Sequence, residues 1–98
     1  MRFRFRTKRL QLLYTSNANS QKLPAEVVES FFEVMTTIHA AKDERDLRAL
    51  KGLRLEKLKG RRQDQYSMRL NKQWRLIVEF EKAADGTIVV VLEIADYH

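Results

Sequence analysis

The residues able to do chemistry lie in the second half of the chain. Lys59, Arg69 and Arg75 are cations at spacings that a β-hairpin would gather on one face, and the sequence ends Asp96-Tyr97-His98. A histidine titrates near neutrality, so it can give or take a proton. A neighbouring aspartate can orient its ring, and a tyrosine can stack on a base or hydrogen-bond a phosphate. No His, Asp and Glu spacing resembles a metal set, and no glycine-rich phosphate loop is present. The chain has no cysteine, which excludes thiolate nucleophiles, disulfides and cysteine-held zinc. Neither a cofactor nor a metal is expected. The chemistry that fits is proton transfer at a phosphate ester.

Those side chains depend on strand register. Tyr66, Met68 and Leu70 alternate with polar residues, as do Trp74, Leu76, Val78 and Phe80. If residues 71–73 form a three-residue loop, Leu70 pairs with Trp74 and Met68 with Leu76, and every large apolar side chain falls on one face. Arg69 then sits opposite Arg75 on the other. Like charges facing each other across a strand pair are destabilising, and such a pair suits a shared anion such as phosphate. Continuing the register puts Glu93 beside Arg75, so a plain salt bridge is the competing reading. Lys59 reaches the arginine face if it opposes Gln65, whereas the run Lys59-Gly60-Arg61-Arg62 also reads as a solvated basic hairpin. His98, taken alone, reads as a solvated residue, and His39 as structural.

The remaining elements frame this hairpin. Residues 2–6 alternate arginine and phenylalanine, a strand with Phe3 and Phe5 inward. A short helix is expected over residues 7–17, with Leu10, Leu13 and Tyr14 on one stripe, then a polar loop at 17–21. Pro24 suits the first turn of a long helix. Val27, Phe31, Val34, Ile38 and Ala41 form its stripe, widened by Val28 and Met35. Asp43 can cap a further short helix through Leu50, stopped by Gly52. Leu53 and Leu55 begin a strand pattern, and after an Asp85-Gly86 turn Ile88, Val90, Leu92 and Ile94 complete the inward series. Ile77, Val89 and Val91 are assigned to the opposite face. The order β-α-α-β-β-β-β implies an α+β fold, a curved antiparallel sheet with two N-terminal helices on one face.

At 98 residues the chain has the length of one domain, spanning 1–98. Its net charge of +6 is segregated. No acid precedes Glu26, residues 51–75 hold nine Lys or Arg against Glu56 and Asp64, and residues 76–98 hold five acids against Lys82. Such segregation points to a polyanion or an acidic protein as partner, or else to a basic surface serving solubility. No secretory signal is read at the N-terminus. The longest apolar run, 88–92, is far short of a membrane span. A soluble, cytoplasmic protein is expected.

Three stretches together carry a family resemblance. They are Leu55-Glu56-Lys57-Leu58-Lys59-Gly60, then Gln65-Tyr66-Ser67-Met68-Arg69-Leu70-Asn71 with Trp74-Arg75-Leu76, and the final Asp96-Tyr97-His98. In this order they resemble the HigB-like toxins, the plasmid-maintenance killer proteins of the RelE/ParE superfamily, and the resemblance covers nearly the whole chain. It implies the toxin of a type II toxin–antitoxin system, a metal-independent endoribonuclease that cuts mRNA on the translating ribosome. The implied partner is a HigA-like helix-turn-helix antitoxin, with operator DNA bound only through the complex. Catalytic roles carry over to His98, Asp96, Tyr97, Lys59, Arg69 and Arg75, with Arg61, Arg62 and Asn71 as substrate contacts. Many members read Leu-His-Pro-Leu-Lys-Gly where this chain has Glu56-Lys57, so a second histidine is missing and Glu56 is an alternative base. Two other readings stand beside this one. One is a non-enzymatic inhibitor on the same fold, as in the gyrase-poisoning branch, and the other an inactive relative that only binds nucleic acid.

Overall fold

The computed structural model describes residues 1–62 and 64–97. Along the chain run β1 (Arg2–Phe5), α1 (Lys8–Ser16), α2 (Ala25–Ala40), α3 (Glu44–Ala49), β2 (Glu56–Lys57), β3 (Tyr66–Arg69), β4 (Trp74–Ala83) and β5 (Gly86–Asp96). The strands form a five-stranded sheet in the order β1-β5-β4-β3-β2. The fold is α+β as the pattern implies, and the short helix expected after Asp43 is present as α3. The sheet departs from the expected antiparallel one at its edge, where β1 runs parallel to β5 while the other pairings are antiparallel. Among the described residues, no helix is long and apolar enough to cross a membrane.

Local chemistry sets the helix ends. The Thr7 hydroxyl accepts from Leu10 N at 3.2 Å and starts α1, and Asn17 closes it in the left-handed conformation (φ 58°). Pro24, at φ −55°, precedes α2 without costing it a hydrogen bond. Asp43 caps α3 by accepting from Arg45 N at 2.9 Å. The Arg45 side chain beside it holds the Asp43 carboxyl below its ordinary value.

The core lies between the helices and one sheet face. Val27, Phe31, Val34, Met35 and Ile38 of α2 are buried there with Leu10 and Leu13 of α1. Phe3, Phe5, Tyr14, Phe31 and Phe32 form an aromatic cluster with centroid separations of 5.4–6.4 Å. From the sheet come Met68, Leu70, Leu76 and Val78, all buried, as the alternation requires.

Two expectations fail, each for a local reason. The strand expected to begin at Leu53 is only Glu56–Lys57, because Lys51–Leu53 is a 3-10 turn and Arg54 takes the left-handed conformation at φ 48°. In β5 the inward series is Val89, Val91 and Ile94, while Val90 and Leu92 pack with Ile77 and Ala95 on the outer face. The cause is a bulge. Ile77 pairs with Glu93 but Val78 pairs with Val91, so Leu92 is an extra residue and the alternation flips there.

Candidate active site

The β3–β4 hairpin turns at residues 71–73. Asn71 shapes this turn, its side-chain oxygen accepting from Gln73 N at 2.9 Å and from Trp74 N at 2.8 Å. Leu70 N donates to Trp74 O at 3.0 Å, which locks the register. Met68 pairs with Leu76 and Arg69 with Arg75, as the alternation implies. Since Met68, Leu70 and Leu76 are buried against the helices, Arg69 and Arg75 share the outer face.

Glu93 does not neutralise this pair. The bulge leaves Arg75 opposite Ala95 and Glu93 opposite Ile77, and the Glu93 carboxylate meets Arg62 at 3.0 Å instead. Arg75 is held by neutral groups, its Nη1 donating to Asn71 O at 2.5 Å and Trp74 O at 3.1 Å. Such bonds fix the guanidinium without cancelling its charge. Arg69 is half-buried and, among the described residues, neither arginine lies within ion-pair distance of an acid. Two cations approaching to about 5 Å repel by roughly 1 kcal/mol in water and about 3 kcal/mol near a protein surface. An anion between them reverses the sign.

The basic loop before β3 sits differently from its expected register. Leu58 N donates to Gln65 O at 2.8 Å, so Leu58 opposes Gln65 and packs on the outer apolar cluster of Ile77, Val90, Leu92 and Ala95. Lys59 falls one residue beyond and is exposed, followed by Gly60 at φ 73° and the exposed Arg61. Arg62 is occupied by Glu93 and by Gln65, to whose side-chain oxygen its Nε donates at 2.7 Å. Asn71 is likewise committed, to the turn and, through its Nδ2, to Glu26 at 2.7 Å. Of the expected substrate contacts, Arg61 alone has no side-chain partner among the described residues. Glu56 pairs with Ser67, and Ser67 with Ile77, which puts Glu56 on the arginine face, diagonal to Arg69.

The end of β5 completes the group. Asp96 pairs with Trp74, the residue beside Arg75, and its Oδ1 accepts from Gln73 Nε2 at 2.6 Å. Tyr97 N donates to Gln73 O at 2.7 Å, and the Tyr97 side chain is 41% exposed. His98, the expected acid–base residue, lies outside the described residues. The structure thus gathers Arg69, Arg75, Asp96 and Tyr97 at one end of the sheet, with Glu56 and the exposed Lys59 and Arg61 on the adjoining segment. Sequence reasoning missed Gln73, because a turn residue without periodicity reveals nothing about what it grips. Among the described residues, no three His, Asp or Glu side chains cluster as metal ligands.

Among the described residues, the arrangement presents two facing arginines without an ion-paired acid, at the sheet end where Asp96 and the exposed Tyr97 ring lie, and such a face suits an anion such as phosphate. Residues 3–98 match the family described as "RelE-like toxin of type II toxin-antitoxin system HigB". Toxin HigB-1 of Vibrio cholerae serotype O1 is 32% identical over 80 residues, which is 82% of this chain and 84% of that protein. The fold is similar to a YoeB/ParE toxin from Agrobacterium tumefaciens, with TM-score 0.62, 16% identity and full coverage of both chains. It is also similar to a chain of the YoeB-YefM complex from Staphylococcus aureus, with TM-score 0.60 and 19% identity over 100% of this chain and 97% of that one.

Proposed function

Because this chain belongs to the HigB-like family of RelE-like, type II toxins, we propose that it cuts mRNA on the translating ribosome without a metal. The observation that carries this reading is the facing Arg69/Arg75 pair, with Arg75 held by two backbone carbonyls and neither arginine ion-paired among the described residues, at the sheet end where Asp96 and Tyr97 emerge.

The RNA supplies its own nucleophile. Its 2′-oxygen attacks the adjacent phosphorus as its proton passes to a base, and the bond to the 5′-oxygen breaks as that oxygen takes a proton. The 5′ fragment keeps a cyclic phosphate. His98 serves as the acid or base, worth about 10²–10⁴-fold in rate, and Glu56 is the candidate for the opposite role. Arg69 and Arg75 stabilise the charge that develops on the phosphate oxygens, at about 3–4 kcal/mol for a well-placed donor, and the exposed Lys59 adds its charge from the adjoining segment. Asp96 orients His98, Tyr97 stacks on a base, and Arg61 steers the backbone.

The partner in the cell is the cognate antitoxin, a helix-turn-helix protein of the HigA kind that covers this basic face and carries the complex to operator DNA. The reading is tested by inducing the protein in cytoplasm lacking that antitoxin and mapping mRNA 5′ ends. Growth arrest with new 5′ ends inside reading frames supports it. Arrest with a DNA-damage response and intact mRNA would transfer the assignment to gyrase-type inhibition.

A further inference from the structure

We propose that Gln73 is a positioning residue that clamps the C-terminal segment to the hairpin and so sets where it meets the Arg69/Arg75 face. The inference rests on the RNA-cleavage reading above. It is carried by the hydrogen bonds of one exposed glutamine. Gln73 N donates to Asn71 Oδ1 at 2.9 Å, its carbonyl accepts from Tyr97 N at 2.7 Å, and its Nε2 donates to Asp96 Oδ1 at 2.6 Å. Asn71 in turn donates to Glu26 at 2.7 Å, in the first turn of α2. A continuous chain of bonds therefore runs from α2 through the turn to Asp96, the last residue of β5, and to Tyr97 beyond it.

The same turn fixes the anion-facing side. Asn71 O accepts from Arg75 Nη1, so the three-residue turn holds an arginine with its first carbonyl and the C-terminal segment with its third. Displacement of about 1 Å between reacting groups can cost on the order of 100-fold in rate, and the Gln73 bonds to Asp96 and Tyr97 hold the segment against it. Glutamine suits this position. Its amide reaches a carboxylate as a donor, which alanine lacks, whereas a glutamate there would repel Asp96.

The test is a double-substitution cycle on purified protein, read as single-turnover cleavage of ribosome-bound mRNA. Gln73→Ala is expected to lower the maximal rate about 10- to 100-fold, leave the half-saturating concentration within about twofold, and melt as wild type does. Asp96→Ala should lower the rate further, and the double variant should match Asp96→Ala alone, because both act through one contact. A wild-type rate for Gln73→Ala beside an inactive Asp96→Ala overturns the clamp and spares the site reading. Losses that multiply in the double variant overturn it also, since Gln73 would then act independently of Asp96. Full activity of Asp96→Ala overturns the site reading itself.

Discussion

The outer face of the sheet carries arginines at both ends and treats them in opposite ways. At the β1 end, Arg2, Arg4 and Arg6 reach across β5 to Asp85, Glu81 and Glu79, the last two at 2.7 and 3.2 Å. At the β3 end, Arg69 and Arg75 face each other with no such acid among the described residues. Both sets sit on the same sheet and alternate with core residues. The difference is what stands opposite: carboxylates of β4 and its turn in one case, a second arginine and Ala95 in the other. A basic sequence is thus not a basic surface throughout. Arg2, Arg4 and Arg6 are consumed in a ladder that zips the parallel edge strand to the sheet, and the facing arginines at the other end have no ion pair among the described residues.

This contrast can be broken in several ways. The largest effect is expected from Arg69→Ala or Arg75→Ala, each lowering the single-turnover cleavage rate about 10²–10³-fold. A triple change of Arg2, Arg4 and Arg6 to Gln should leave that rate within about twofold. Next, the paired end can be unmasked. The double variant Glu79→Gln with Glu81→Gln frees Arg4 and Arg6, so RNA binding at low salt should tighten on the order of tenfold and its salt slope steepen by about one to two units. Filter binding across a salt series reads this, and cleavage should not rise with it, because those arginines stand far from the C-terminal segment.

The ladder itself should contribute modestly. Its arginines are 53–59% exposed, so each pair is worth at most about 1 kcal/mol, and the triple Gln variant should show a correspondingly small fall in urea midpoint that shrinks further in high salt. Smallest is an effect outside both clusters. The Asp43 carboxyl is held below its ordinary value by the Arg45 hydrogen bond. Its contribution is therefore complete above the unfolded-state value of about 3.9 and is lost as pH falls through the lowered one. Asp43→Asn should flatten that acid limb of the stability curve, measured as urea midpoint against pH.

How far the comparison could be read in advance depended on periodicity. The Arg69/Arg75 pairing was legible, since a three-residue turn at 71–73 both sets the register and puts Met68, Leu70 and Leu76 on one face. The ion-pair ladder was not, because nothing local in residues 2–6 says that β1 lies parallel beside β5. The Glu93 partner was assigned wrongly for a different reason. Residues 88–92 are apolar on both faces, so period-2 reasoning had no parity to lose when the bulge at Leu92 shifted it. That single extra residue moved Glu93 from Leu76 to Ile77 and set Ala95 rather than Ile94 opposite Arg75, so neither register places Glu93 across from Arg75. Lys59 failed by one position, because Leu58 rather than Lys59 fills the slot opposite Gln65. Gln73 and Glu26 were invisible, since a hydrogen-bonded clamp leaves no pattern in sequence.

The most direct measurement is mRNA cleavage in a reconstituted translation system, with and without ribosomes, for wild type, His98→Ala and the Arg2, Arg4 and Arg6 triple Gln variant. Cuts at defined codons that need ribosomes and His98 and persist in the triple variant are the expected result. Cleavage that survives His98→Ala, or that disappears with the paired arginines alone, would contradict it.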